Sequence, residues 1–68
     1  MKPETSLDAV QRAIRQLEPI ANRAAVLYAS TNSTRAENLM YCLDNALAEL
    51  NKAVEVYCGD FDRLEQEV

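Results

Sequence analysis

Two apolar stripes at helical spacing, separated by four small polar residues, constrain the fold of this chain more than any other feature. The first stripe steps by three and four residues through Leu7, Val10, Ile14, Leu17, Ala21, Ala24 and Tyr28. The second takes the same steps through Ala36, Leu39, Leu43, Ala46, Leu50, Ala53 and Tyr57. Such spacing keeps the apolar side chains on one face of a helix. It predicts one helix over about 6–29 and another over about 35–58.

The segment 30–33 between the stripes, Ser-Thr-Asn-Ser, has strong turn and cap preferences. Thr34 and Glu37 after it have the spacing of a capping box, which predicts that Thr34 caps the second helix. A turn this short makes adjacent helices pack antiparallel. Residue numbers of facing positions then add up to about 63 or 64, which pairs Ile14 with Leu50 and Leu7 with Tyr57.

The first helix has a start signal and one interruption. Thr5 can cap the first turn, and Asp8 lies three residues on, as in a capping box. Pro19 falls inside the apolar pattern, and a proline kinks or ends a helix. The spacing of the apolar residues is the same before and after Pro19, which favours one kinked helix. The competing interpretation is two shorter helices that meet at this position.

The tail, residues 59–68, has two possible conformations. Gly59 can end the second helix as a C-cap, or the helix can continue, since Phe61 and Leu64 keep the apolar spacing. The pairing rule leaves this overhang without a counterpart on the first helix. We therefore expect it to fold back as a short third helix, to join a dimer, or to meet a partner.

A chain of 68 residues buries little surface, and the hydrophobic gain of so small a core is offset by the entropy lost on ordering. Each helix also has an apolar face wider than one helix–helix contact needs, and a second copy would cover the surplus. The sequence therefore predicts an all-α fold: an antiparallel two-helix hairpin, with a possible short third C-terminal helix, that dimerises into a four-helix bundle. The expected hairpin and dimer core is Ile14, Leu17, Ile20, Leu43, Leu47, Leu50, Val54 and Tyr57.

Residue types that support catalysis are scarce. The chain has no histidine and only two cysteines, Cys42 and Cys58. Sixteen residues along a helix separate these by roughly 24 Å, too far for a disulfide within the chain. We expect two reduced cysteines packed as small apolar residues; the alternative is a symmetric bridge across a dimer. The sequence predicts no enzyme activity, no cofactor and no metal site.

The charged residues are distributed unevenly along the chain. Residues 1–35 carry five cations and three acids, a balance of +2, and residues 36–68 carry two cations and eight acids, a balance of −6. The acidic total makes nucleic acid an unlikely direct ligand, because a phosphate backbone repels it. No stretch reaches the length of a signal peptide or a membrane span, so we expect a cytoplasmic protein that does not bind membranes.

A candidate site for a partner protein follows from exposed aromatic and apolar side chains. Tyr41 points away from the main stripe, beside Met40 and near Arg35, a composition typical of interaction hot spots. In the overhang, Phe61 and Leu64 lie among acidic residues that would attract a basic surface. We expect these five residues to contact the partner.

In length, acidity and capped-hairpin layout, the whole chain resembles the small anti-activator proteins by which Pseudomonas phages block quorum sensing. The resemblance implies a dimeric helical hairpin that binds and inhibits a host protein, such as a LuxR-type quorum-sensing receptor, in the host cytoplasm. The leading hypothesis is therefore a phage-type inhibitor. The alternatives are a module whose only role is self-association and an acidic mimic of nucleic acid.

Overall fold

A computed structural model describes residues 4–67 of the chain, and these residues form a helical hairpin. Helix α1 comprises Ser6–Thr31, helix α2 comprises Thr34–Lys52, a π-helical segment comprises Ala53–Tyr57, and helix α3 comprises Cys58–Glu67. Only Glu4, Thr5, Asn32 and Ser33 of the described residues lie outside a helix, and none is in a strand. The predicted all-α class is confirmed.

Helix α1 begins and continues as the sequence predicts. The Thr5 side chain accepts a hydrogen bond from the backbone N–H of Asp8 at 3.1 Å, which confirms the predicted cap. The helix passes through Pro19 without interruption, so the alternative of two shorter helices is wrong. Pro19 is exposed, where its missing N–H lies on the solvent side of the helix.

The turn is two residues shorter than predicted. The hydroxyls of Ser30 and Thr31 donate to the carbonyls four residues earlier, at 2.9 and 2.7 Å, and both residues are helical. Asn32 then adopts a left-handed conformation with φ of 54°, and its N–H donates to the Tyr28 carbonyl at 2.8 Å. A left-handed residue after the last turn is a common helix end, and asparagine tolerates it.

The cap of α2 is Ser33 rather than Thr34. The Ser33 side chain accepts from the backbone N–H of Ala36 at 3.4 Å, which places Thr34 in the first turn. The predicted capping box of Thr34 and Glu37 is therefore wrong by one position. Both residues can cap a helix, and the left-handed Asn32 decides between them because it turns the chain one residue earlier.

The second arm of the hairpin is one continuous helical path from Thr34 to Glu67. Lys52, Ala53 and Cys58 all have right-handed helical backbone angles, and the Cys58 N–H donates to the Ala53 carbonyl five residues earlier. Gly59 lies within α3 and has no positive φ, so it does not cap the helix. The tail therefore continues the helix and does not fold back as a third layer.

The hairpin is one layer thick. Its extents are 51 × 23 × 14 Å, and a single helix with its side chains is about 10–12 Å across. Its radius of gyration, 15.5 Å, exceeds the value of about 11 Å that a compact domain of this length would have. The core is correspondingly small: among the described residues, those that are buried are Ile14, Ala21, Ala24, Ala36 and Cys58.

The residues predicted for the core divide into three groups by their exposure in this single chain. Ile14 is buried, and Leu17, Leu43, Leu47, Leu50 and Val54 are half-buried along the contact between the arms. Ile20 and Tyr57 are exposed, so they do not belong to the hairpin contact. Tyr57, predicted to face Leu7 in the core, is exposed, and the neighbouring Cys58 is buried in its place. Within residues 4–67, no helix combines the length and apolarity required to cross a membrane.

Candidate functional site

An exposed apolar face runs along the hairpin beside the line of contact between its arms. On α1, every seventh residue from Ile14 (Ile14, Ala21 and Tyr28) is buried or half-buried against the other arm. The residues one position before these are Ala13, Ile20 and Leu27. The second arm repeats the arrangement: Met40, Leu47, Val54, Cys58 and Asp62 face inward. The residues one position before those are Leu39, Ala46, Ala53, Tyr57 and Phe61.

Both sets lie on the same side of the molecule. In an antiparallel pair, a two-fold axis perpendicular to the plane of the two helices exchanges the helices but does not exchange the front and the back of the pair. On both helices, the residue that precedes an inward residue in sequence therefore points to the same side of the pair. We call this set the apolar face; it consists of Ala13, Ile20, Leu27, Leu39, Ala46, Ala53, Tyr57 and Phe61.

The apolar face is large for a chain of this size. Its five large side chains, Ile20, Leu27, Leu39, Tyr57 and Phe61, are between 42% and 58% exposed. At about 100 Å² each, they leave roughly 500 Å² of apolar surface in water on one side of the hairpin, as much as the largest patch of a typical monomer. None of the eight residues is charged. This composition is typical of a surface that another molecule covers.

The opposite side of the hairpin is more mixed in composition. One position after the inward residues of α1 lie the exposed residues Asp8, Arg15, Asn22 and Ala29. On the second arm the corresponding exposed residues are Tyr41, Ala48, Glu55, Gly59 and Arg63. The two sides of one thin layer therefore differ in character, and only one of them has the composition of an interface core.

The open end of the hairpin, where the start of α1 meets α3, is held by Asp62. The backbone N–H and the hydroxyl of Ser6 donate to Asp62 Oδ1 at 2.9 and 2.6 Å, and the Leu7 N–H donates to Oδ2 at 3.4 Å. Ser6 Oγ also lies 3.4 Å from the carbonyl oxygen of Cys58. These hydrogen bonds, first of all that of the Ser6 hydroxyl, lower the pKa of Asp62.

The contact between Asp62 and the start of α1 was not predicted, and the prediction that the overhang has no counterpart on the first helix is wrong. Two features of the sequence could have indicated the contact of Asp62 with the start of α1. The first N–H groups of a helix need acceptors and favour negative charge. The pairing rule places Ser6 beside Cys58, and one turn beyond Cys58 lies an aspartate. Beside the contact, Tyr57 and Phe61 line a shallow open hollow with Ser6 and Cys58.

The residues predicted to contact a partner do not form one cluster in this chain. Arg35, Met40 and Tyr41 lie near the loop end, where Asn32 and Ser33 join the arms. Phe61 and Leu64 lie near the open end, roughly 30 Å along the helix from Tyr41. Phe61 belongs to the apolar face, and Tyr41 lies on the opposite side.

A small polar cluster surrounds Tyr41. The Glu37 carboxylate, as a hydrogen-bond acceptor and as a negative charge, raises the pKa of Tyr28, and the nearby Tyr41 adds to this effect. Tyr41 is 54% exposed, and Met40 beside it is half-buried. Further along the second arm, exposed carboxylates follow at Asp44, Glu49, Glu55, Asp60, Glu65 and Glu67. The second arm thus presents a tyrosine within a predominantly acidic surface.

The two cysteines differ in environment. Cys58 is buried against α1, as expected for a small apolar residue, but Cys42 is exposed and not packed in the hairpin. Both are free thiols. Among the described residues, no group of three or more carboxylate or cysteine side chains is placed to hold a metal ion.

Compared with protein-family models, curated proteins and solved structures, the chain shows no significant similarity to any of them.

Proposed function

We propose that the protein is a small interaction module that dimerises through the apolar face and, as a dimer, binds and inhibits another protein. The observation that carries the proposal is the apolar face itself, with its five half-exposed large side chains on one side of a single helical layer. The occupant we propose for it is a second copy of the same chain, in a four-helix bundle.

The weakness of the hairpin core favours a second copy over any other occupant. Three of the five buried residues within positions 4–67 are alanines, and no large side chain in this range is fully buried. Such a core does not offset the entropy of ordering a chain of this length. Folding therefore needs a partner that is present wherever the chain is made, and only the chain itself meets that condition.

The area of the apolar face agrees with this occupant. Two copies joined face to face would bury roughly 1,000–1,200 Å² in total, at the lower limit of specific interfaces. The small residues Ala13, Ala46 and Ala53 separate the large ones along the face. Large residues of one copy can then enter the gaps beside the small residues of the other, as in the core of a four-helix bundle.

Dimerisation through the apolar face leaves the opposite side free for a second protein. That side carries Tyr41 near the loop end, next to the half-buried Met40, and the acidic surface of the second arm extends from Tyr41. An aromatic side chain supplies affinity, and surrounding charge steers association with a basic surface. The resemblance to phage anti-activators supports a LuxR-type quorum-sensing receptor as this second protein, and supports inhibition as the outcome.

Sedimentation of the full chain tests the dimer. We expect a dimer at micromolar concentration for the wild type, and at least a tenfold weaker self-association for Leu27→Glu, because the charge would be desolvated in the interface. Tyr41→Glu is the matched control: Tyr41 is as exposed as Leu27, at 54% against 53%, but lies on the opposite side. A folded wild-type monomer at these concentrations would overturn the proposal.

Inhibition is tested with a purified LuxR-type receptor bound to its DNA site. We expect the wild-type protein to reduce the receptor–DNA complex, and Tyr41→Glu to do so much less while remaining a dimer. If the wild-type dimer leaves the receptor–DNA complex unchanged, the inhibitory role toward this receptor class is wrong.

A second candidate function is self-association alone. It is favoured by the observation that five of the exposed large apolar residues lie on one face, which a dimer would cover. This candidate predicts that a dimer forms and that Tyr41→Glu changes no binding property of the protein.

A further inference from the structure

The two arms of the hairpin differ in charge. Helix α1 carries three arginines and two carboxylates, a balance of +1. The second arm, from Thr34 to Glu67, carries three cations and eight carboxylates, a balance of −5. A weakly basic helix therefore lies beside a strongly acidic one.

The charged residues beside the apolar face follow the same difference. Arg23 on α1 and Glu49 on the second arm each lie three residues after one member of the face and four before the next, on the side away from the other arm. Both are exposed, and Arg23 lines an open hollow with Leu27 of the face. They mark the outer edges of the face, one on each arm.

Each edge carries a second exposed charge of the same sign. Arg12 lies about three helical turns before Arg23, and Asp60 lies about three turns after Glu49. We call Arg12 and Arg23 the basic edge, and Glu49 and Asp60 the acidic edge. Arg35, at the loop end of the second arm, departs from this pattern.

A second copy can cover the apolar face in two symmetric ways if the helices stay aligned, as they do in a four-helix bundle. In the first, the two-fold axis runs along the helices. Each α1 then lies against the second arm of the other copy, and both loop ends are at the same end of the bundle. In the second, the axis crosses the helices, each arm lies against its own counterpart, and the loop ends are at opposite ends.

Charge favours the axis along the helices. This arrangement places each α1, with its balance of +1, against a second arm with −5, and a basic edge meets an acidic edge. The other arrangement places two arms of −5 against each other. Glu49 lies near the middle of its arm, so with full overlap of the arms it would also meet Glu49 of the other copy, and the two carboxylates would repel each other.

The sizes of facing side chains favour the same arrangement. An axis along the helices keeps every residue at its own height, so the numbers of residues that face each other between copies add up to about 63 or 64, as they do within the hairpin. To within one turn, Ile20 then faces Ala46 of the other copy, and Tyr57 faces Ser6 with its open hollow. Large side chains thus meet small ones. With like arms together and fully overlapped, Ala46 faces Ala53, which sets small against small.

We propose that two copies of the chain pair with the two-fold axis along their helices, so that the basic edge of each copy lies against the acidic edge of the other. This proposal rests on the proposed dimer and gives its orientation. Arg12, which pairs with Glu4 in the single chain, then lies within a turn of Glu49 of the other copy. Both Tyr41 side chains lie at one end of the bundle, where a partner protein meets them together.

Cross-linking between engineered cysteines distinguishes the two arrangements. In a Cys42→Ser background, the Arg12→Cys protein is mixed with the Glu49→Cys protein and treated with a bismaleimide about 10 Å long, the distance between packed helices. We expect a covalent dimer with one copy of each variant. The Glu49→Cys protein alone should give none, because its two thiols would lie on opposite outer edges of the bundle. The Cys42→Ser protein, which keeps only the buried Cys58, is the control.

Charge reversal measures how much the edges contribute to self-association. Glu49→Arg should raise the dimer dissociation constant about three- to tenfold relative to Asp44→Arg, because each dimer loses two ion pairs. Asp44 is exposed on the opposite side, between Tyr41 and Ala48, so its reversal changes the net charge equally without touching the interface. Adding Arg12→Glu to Glu49→Arg should recover most of the loss. With like arms together, Glu49→Arg would replace one repulsion by another and have no such effect.

The outcomes separate the orientation from the dimer on which it rests. A wild-type chain that sediments as a folded monomer overturns the dimer and, with it, the orientation. A wild-type dimer in which the Glu49→Cys protein links to itself, or in which the two cysteine variants do not link to each other, overturns the orientation alone. Equal dissociation constants for Glu49→Arg and Asp44→Arg would do the same.

Discussion

The two ends of the hairpin are closed in different ways. At the loop end, the bonds that shape the turn join near neighbours: Asn32 to Tyr28, and Ala36 to Ser33. At the open end, the bonds join Ser6 and Leu7 to Asp62, which lies 56 and 55 positions further along the chain, respectively. One end is determined by local preferences, and the other depends on the whole hairpin being formed.

Because they are closed differently, the two ends of the hairpin should respond differently to substitutions. The loop end is tied to short-range geometry, with a left-handed residue and a cap in consecutive positions. The open end is held by hydrogen bonds between residues far apart in the chain, and no turn joins the two arms there. We therefore expect the loop end to be the more rigid of the two, and three experiments test this comparison.

The largest effect is expected from enlarging a buried residue at each end. Ala36 and Cys58 are both 5% exposed, so a leucine at either position overpacks its contact. Ala36→Leu should lower the free energy of unfolding by about 1–3 kcal/mol, because the adjacent cap and turn cannot move away. Cys58→Leu should cost less, because no turn joins the arms at the open end and they can move apart there. Denaturant unfolding at fixed protein concentration measures both, with the exposed Ala48→Leu as control; equal costs would contradict the comparison.

Removing the cap of α2 should have a smaller effect that also identifies the capping residue. Ser33→Ala leaves the Ala36 N–H without its acceptor and should lower the free energy of unfolding by about 1 kcal/mol. Thr34→Ala removes a residue of the first turn and should change stability little. Thermal unfolding of the two variants compares them under identical conditions. A larger loss for Thr34→Ala would restore the capping box that the sequence predicted.

The smallest effect is expected at Gly59, in the tail beyond the π turn. A Cβ at this position meets nothing within 4 Å, and the residue has an ordinary helical conformation. Gly59→Ala should therefore raise the free energy of unfolding by about 0.5–1 kcal/mol, and Gly59→Ser by less, in the order of helix propensity. Destabilisation by both would mean that Gly59 ends the helix after all.

Much of the fold was predictable because its causes are periodic or local. The spacing of apolar residues predicted both helices, and the short polar segment predicted their antiparallel packing. Boundaries were less predictable: Ser33 and Thr34 have similar cap preferences, and the conformation of Asn32 decides between them. The candidate site was predicted less well, because Tyr41 and Phe61 look alike as exposed aromatics in sequence but lie on opposite sides of the hairpin.

The sequence by itself determined that this chain forms two amphipathic helices and that a tight turn joins them. It also determined that the helices have more apolar surface than one helix–helix contact can cover. These properties follow from the order of residue types along the chain. Only the tertiary structure decided which apolar residues stay outside. Asp62 meets the free N–H groups of α1 only once the arms are paired, and in the paired arms Cys58 is buried while Tyr57 and Phe61 stay exposed.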